Sequence, residues 1–329
     1  MRFSFPLALA AFSAGLLGAC SDDAASGDIV IEELGGQQEI AEPVGGKDRP
    51  SNLDEATEGE SNVAIWQVSD EDTVVYLLGT VHLMKPGVEW QTQDIRTAFN
   101  QAEAVFLEAD VFSREAQRAM GLVVTQTAEL KNDMTLSDFF EKKDQKRIDE
   151  ALGELDLSLS QLNNFRPWFA TMQMSVLSLI KAGGDPASGA DVIISREMLE
   201  RGVPLRYLET AAQQIQMLAN GDDERDAAYF LEVLDDLEEG EAYYADLMGA
   251  WYEGDVERVD YLINSAFADY PKLRERLITD RNADWSQQID RVLTDEPGTF
   301  VVAVGAGHLA GDASLQDMLR GRGYDVERL

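Results

Sequence analysis

Two stretches near opposite ends of the chain share one design: Val75-Tyr-Leu-Leu-Gly79-Thr-Val-His82-Leu83 and Val301-Val-Ala-Val-Gly305-Ala-Gly-His308-Leu309. Each is an apolar strand followed by glycine, two small or branched residues, histidine and leucine. The glycine lets the chain turn sharply off the strand end. The histidine is then left at the carboxyl edge of the sheet, where open α/β sheets bind ligands. His82 and His308 are the only two histidines in 329 residues. A fold that serves both motifs places the two strands in one sheet, with both imidazoles at one edge as a shared site.

The segments between them fit an α/β domain. Val63–Val68 and Thr73–Leu78 are strand-like runs joined by Ser69-Asp-Glu-Asp72, which reads as a hairpin. Residues 94–103 have helical spacing, and 104–109 form a short apolar strand, so a βαβ unit is expected. Helical spacing dominates the middle, at 115–130, 136–152, 167–182 and 190–201; a strand returns at 203–208, and several helices fill 210–293. The chain closes with strand, helix and strand at 299–304, 313–321 and 324–328. The expected fold is therefore α/β: a central mixed β-sheet built from the N- and C-terminal strands of one domain, residues 62–329, with a large helical insertion.

The front of the chain is not fold. One basic residue and an apolar run from Pro6 to Leu17 precede Leu17-Gly18-Ala19-Cys20. The run is shorter than the roughly 20 apolar residues a membrane-spanning helix needs, and it has the pattern of a secretory signal over residues 1–19. The last four residues resemble a bacterial lipobox, and Cys20 is the single cysteine of the protein. A lone thiol makes no internal disulfide, whereas acylation explains both its presence and its place. The expectation is a lipid anchor at Cys20 in the bacterial cell envelope, with Ser21 next to it suggesting the outer membrane, facing the periplasm. Residues 20–61 are acidic and without aromatics, and read as a disordered tether. The formal net charge of −34 argues against nucleic acid as a partner.

Carboxylates share the strand-edge geometry. Glu108 ends the run Val105-Phe-Leu, and Glu209 follows Leu208. A carboxylate beside a buried strand is costly unless it is paired or ligates a cation. Asp110 either faces the same side or caps the next segment. Two imidazoles and one carboxylate, His82, His308 and Glu108, suffice for a divalent metal with an open position. The sequence contains no His-Glu-x-x-His, no Gly-x-Ser-x-Gly and no phosphate-binding glycine loop.

Several stretches, in order, resemble the TraB/GumN family, which is related to the Tiki metalloproteases and more distantly to erythromycin esterases and ChaN-like haem-binding lipoproteins. They are Leu77–His82, Val105–Asp110, Arg166-Pro-Trp168, Gly189-Ala-Asp191, Gly202–Thr210 with Gln213 and Gln214, Trp251–Asp255, Arg281-Asn282-Ala-Asp-Trp285, Val304–Gly311 and Gly323–Val326. The resemblance implies that His82, Glu108 and His308 contribute to a metal-dependent site. It makes Arg281 and Asn282 a substrate or oxyanion anchor, and Glu209 or Asp110 a general base. Manganese, cobalt or zinc is the expected ion. The leading expectation is a metal-dependent hydrolase acting on a peptide or small-molecule substrate; the alternative is a non-enzymatic envelope lipoprotein that binds a metal, haem or small ligand.

Overall fold

The computed structural model describes residue 50 and residues 52–329, apart from 220, 236, 238, 239, 268 and 269. The signal sequence, Cys20 and most of the acidic segment lie outside the described residues.

The N-terminal hairpin forms as its alternation predicts. Strand β1 (Ile65–Ser69) pairs antiparallel with β2 (Thr73–Thr80), Ile65 opposite Leu78. Asp70 closes the turn by accepting the N–H groups of Asp72 and Thr73 at 3.2 and 2.9 Å. The helix Gln93–Gln101 carries the chain across to β3 (Ala104–Asp110). The helical insertion follows, then β4 (Leu205–Thr210), further helices, β5 (Gly298–Gly305) and β6 (Val326–Arg328). The six strands lie in the order β4-β3-β5-β2-β1-β6. β2, β5, β3 and β4 are parallel neighbours, while β1 runs antiparallel to both β2 and β6. The expected mixed sheet is present. β2 and β3, although consecutive, do not pair, because β5 is inserted between them.

Strand pleating sorts the apolar residues onto two faces. Val75, Leu77, Phe106, Phe300 and Val302 pack against Trp285, Ile289 and Leu293 of the helix Asp280–Asp295. Tyr76, Leu78, Val105, Leu107, Val301 and Ala303 face the helices Pro167–Lys181, Ala190–Arg201 and Gly240–Glu253. Pro167–Lys181 is apolar around nearly its whole circumference. Its other side, with Ala170, Met174 and Leu177, supports a separate small core with Phe140, Ile148, Leu152 and Phe230.

Two expectations need correcting. The tether does not extend to residue 61. Asn52 caps a helical turn, Leu53–Ala56, by accepting the N–H groups of Asp54 and Glu55, and Leu53 and Ala56 are buried. Gly249 leaves room for this segment, since a Cβ there would lie 3.0 Å from Pro50 Cγ. The helix expected over 136–152 is broken into a 3₁₀ turn, Leu136–Phe139, and a helix, Lys142–Gly153. The Gln145 amide takes the carbonyls of Ser137 and Phe140 at 2.7 and 3.0 Å, which stabilises the break. Among the described residues no helix is long and apolar enough to cross a membrane.

Candidate active site

The two Gly-x-x-His turns are in contact. β2 and β5 pair in parallel with Thr80 opposite Gly305, and a Cβ on Gly79 would sit 3.1 Å from Ala306 Cα. Each turn is pinned from outside the sheet. Trp251 Nε1 donates to the Gly79 carbonyl at 2.9 Å, and the Tyr244 hydroxyl to that of Leu83. On the second turn, Asn282 Nδ2 donates to the carbonyls of His308 and Ala313 at 3.1 and 3.0 Å, and Gln316 to that of Leu309. Both histidines are buried, His308 completely.

Glu108, on β3 at the far side of β5 from β2, reaches the second turn. It is on the pleat side of Phe106, toward the helix that carries Arg281. Its Oε1 accepts the Gly305 N–H at 2.7 Å; its Oε2 accepts Arg281 Nη2 at 2.5 Å and Gln214 Nε2 at 3.0 Å. Burial would push the carboxyl up, but the Arg281 guanidinium, the nearby imidazoles and the Gly305 N–H overcome it and hold Glu108 down at about 2. Glu209 receives Arg281 Nη2 at 2.6 Å and Gln214 at 2.8 Å. Burial dominates there and leaves its pKa raised despite Arg281, with Glu108 repulsion adding to the effect.

Arg281 is the hub of this cluster. Its Nη1 donates to the Leu277 carbonyl at 3.0 Å and reaches His308 Nε2 at 3.0 Å. The Leu277 carbonyl belongs to a single π-helical turn, Glu275–Thr279, just before the helix; such turns recur at functional sites. A guanidinium has no lone pair, so His308 Nε2 accepts, and the imidazole proton sits on Nδ1, facing Asn282 Oδ1 at 2.7 Å. Burial, with Arg281 adding to it, holds His308 well below the ordinary histidine pKa. The Trp285 ring packs against both, 4.4 Å from the His308 ring and 4.6 Å from the Arg281 guanidinium carbon.

These residues form two layers. A small pocket, open to solvent, is lined by Thr80, His82, Glu108, Asp191 and Gln214, with an apolar wall of Leu107, Ala109, Val111, Phe112 and Ala303. His308, Arg281, Asn282 and Glu209 are absent from that lining and lie behind it. The expected substrate-anchoring role of Arg281 and Asn282 does not fit this arrangement. All five Arg281 N–H groups are committed, to Glu108, Glu209, His308 and Leu277. The Asn282 amide is wholly buried on His308 and its loop. Asp110 is a cap, accepting the N–H groups of Phe112 and Ser113 at 3.0 Å each.

His82 differs from the rest. Its Nε2 is buried and has no hydrogen-bond partner. Its Nδ1 lies 3.2 Å from Asp191 Oδ1, an ion pair once the imidazole is protonated. Burial works against charging His82, but attraction to Asp191 outweighs it and raises the pKa. Sequence reasoning gave no role to Asp191 or Gln214. The signals were there, in Gly189-Ala-Asp191 and in the paired glutamines after Leu-Glu-Thr: Gln213 closes a capping box with Thr210, which turns Gln214 inward onto both glutamates.

Among the described residues no three His, Cys, Asp or Glu side chains converge to enclose a metal ion. His82, with Nε2 free and Nδ1 held by Asp191, fits a ligand role through Nε2. Glu108 fits too, because a carboxylate has about four lone-pair sites and three are used. His308 fits once Arg281 releases its Nε2.

Comparison with known proteins shows the family. The chain is 24% identical over 245 residues to the uncharacterized protein YbaP of Escherichia coli K12, covering 74% of this chain and 87% of YbaP. The Shigella flexneri YbaP matches to the same extent. A shorter stretch of 92 residues, 25% of this chain, is 33% identical to the zebrafish (Danio rerio) metalloprotease TIKI2 and covers 18% of that protein. No solved structure matches. The model of the TraB/PrgY/gumN family matches residues 64–328, the whole sheet and both histidine turns, and the chain belongs to that family.

Proposed function

We propose that the domain is a metal-dependent hydrolase acting on peptides, held in the bacterial cell envelope by a lipid on Cys20. The observation that carries the reading is His82, a buried imidazole whose Nε2 has no hydrogen-bond partner, on the wall of the same open pocket as Glu108. The stretch similar to a named metalloprotease supports it.

His82, Glu108 and His308 would hold the ion, manganese, cobalt or zinc as the resemblance to the Tiki metalloproteases implies. Once bound, such an ion supplies an activated water and polarises a carbonyl. The rest falls to the chain's own residues. Glu108, held at about 2, stays ionised at neutral pH and offers a permanent negative charge. Glu209, with its raised pKa, is the carboxylate of the cluster with the higher proton affinity, and Gln214 and Arg281, which donate to it and to Glu108, tie the two carboxylates together. The wall of Leu107, Ala109, Val111, Phe112 and Ala303 suits an apolar side chain next to the bond to be cut. Arg281 and Asn282 fix His308 and the two glutamates in place.

The test is hydrolysis of a peptide library by full-length protein, metal-stripped and then supplied with Mn²⁺ or Co²⁺. Metal-dependent cleavage that is lost in His82→Ala supports the reading. Metal binding without turnover would leave a binding lipoprotein instead. For the anchor, Cys20→Ser is expected to move the protein from the membrane to the soluble fraction; a membrane-bound variant would rule it out.

A further inference from the structure

β4 ends the sheet on one side, and its outer edge is unpaired. The order β4-β3-β5-β2-β1-β6 leaves β3 as its one neighbour. The Val105 N–H donates to the Pro204 carbonyl at 3.0 Å. In a parallel ladder this contact fixes the parity: the backbone groups of Arg206 and Leu208 face β3, and those of Leu205, Tyr207 and Glu209 point outward. Among the described residues none of these outward N–H and C=O groups has a hydrogen-bond partner.

Nothing in the strand blunts that edge. Sheets protect their edges with proline, lysine or a bulge. Residues 205–210 contain neither proline nor lysine, and the register with β3 runs from Val105 opposite Leu205 to Asp110 opposite Thr210 without a shift. Pro204 comes before the strand, and its missing N–H falls on the β3 side. The strand also continues the pocket wall. Leu205 and Tyr207 are half-buried on one face of the sheet. On that face Tyr207 is level with Leu107, and Ala109 is level with Glu209; Leu107 and Ala109 belong to the apolar wall. Neighbouring strands lie about 4.8 Å apart, so a chain added to β4 would run about 10 Å from β3 and that wall. Leu199, in the last turn of the helix leading into β4, adds an apolar side chain that is 63% exposed.

We propose that the open edge of β4 docks the peptide substrate, which adds to the six-stranded sheet as a further strand on the outward groups of Leu205, Tyr207 and Glu209. Strand addition draws affinity from main-chain hydrogen bonds and selectivity from every second side chain. The ligand class is therefore an extended peptide with apolar residues at alternate positions. The carboxyl end of β4 is where Glu209 meets Arg281 and Gln214, so the docked segment leaves the edge at the same end of the sheet as the histidine turns. The inference rests on the peptide-hydrolase reading for calling this peptide a substrate, and deepens it by naming the conformation in which it is held.

The experiment is fluorescence anisotropy of metal-stripped full-length protein with a labelled peptide of alternating Val and Thr. Two further peptides are methylated on the backbone nitrogens of the Val set or of the Thr set. Wild type is expected to bind the parent peptide saturably. One methylated peptide, whose methyl groups meet the edge, should bind at least about 10-fold more weakly than the other, since a lost hydrogen bond is worth about that much. Tyr207→Pro removes an outward N–H at a place where an edge strand accepts proline, and should weaken the parent peptide by a similar factor. If that variant does not fold, the pair of methylated peptides decides. Absence of saturable binding, equal affinity for the two methylated peptides, or a folded Tyr207→Pro that binds as wild type overturns the inference. So does a wild-type dimer in sedimentation that Tyr207→Pro dissociates, because a second copy then holds the edge. Edge binding without metal-dependent hydrolysis would leave the docking site standing and remove the hydrolase reading; hydrolysis without edge binding does the reverse.

Discussion

Arg281 Nη1 lies 3.0 Å from His308 Nε2, so a guanidinium occupies the lone pair that His308 would offer an ion. The same guanidinium neutralises Glu108 and Glu209. Arg281 and a divalent cation are therefore competitors for one set of groups. Arg281→Gln leaves two buried carboxylates without a counter-charge, which costs about 3–5 kcal/mol in metal-free protein. Added Mn²⁺ is expected to recover more melting temperature in this variant than in wild type. An equal metal-induced shift in the two proteins would refute the competition.

Asn282 is the device that aims His308. Its side chain takes the Nδ1 proton and holds two loop carbonyls, all away from water. Asn282→Ala is expected to cost about 3 kcal/mol in urea unfolding, because several buried polar groups lose their partner. Metal affinity should fall about 10–100-fold, as when other groups that orient a ligand are removed. An Ala variant that unfolds at wild-type urea concentrations would contradict this.

The two histidines predict opposite pH dependence. His308 is depressed below its ordinary 6.5, so the unfolded chain binds the proton first, and stability falls as pH drops below 6.5. The slope approaches about 1.4 kcal/mol per pH unit. His82 is raised above 6.5, so its contribution is complete below that pH and is lost as pH rises through its folded value. Their combined contribution peaks near 6.5. With only two imidazoles in the protein, proton NMR of metal-free protein separates them: one titrates above 6.5 and the other well below. Glu108, shifted from 4.5 to about 2, adds a further loss of stability as pH falls through that interval.

Gly189→Ala tests the close approach of the Ala190–Arg201 helix to the first histidine turn. The new methyl meets the His82 carbonyl, backbone against backbone, and cannot be relieved by a rotamer change. A loss of about 3 kcal/mol is expected, read by thermal melting, whereas Gly121→Ala, with open space at its Cβ, should melt at or above wild type. Similar melting of the two variants would show that the helix start is not tightly seated.

What could be read from the sequence was what local pattern encodes. The hairpin, the strand ends and the carboxylate after Val105-Phe-Leu are statements about neighbours in sequence, and the structure puts Glu108 against the second turn, at Gly305 and His308. The roles of Arg281 and Asn282 were not legible, because they depend on which side of the pocket wall the Asp280–Asp295 helix lies. Asp191 was missed for a related reason: its partner is set by one backbone hydrogen bond, Ala190 to Val81, between segments far apart in the chain. The boundary at residue 62 failed because a single capped turn with two buried side chains, Leu53 and Ala56, has too little periodicity to stand out from an acidic stretch.

β5 is the penultimate strand to be synthesised, yet it sits in the interior of the sheet between β3 and β2. Until residues 298–305 emerge, the growing chain has two half-sheets with a gap between them, and β2 and β3 each expose a row of unpaired N–H and C=O groups. Long-range parallel pairing of this kind is slow to form. Chains stopped before Gly298 would have no native sheet to fall back on, so assembly of the domain waits for nearly the whole polypeptide, and the second histidine arrives with the strand that makes folding possible.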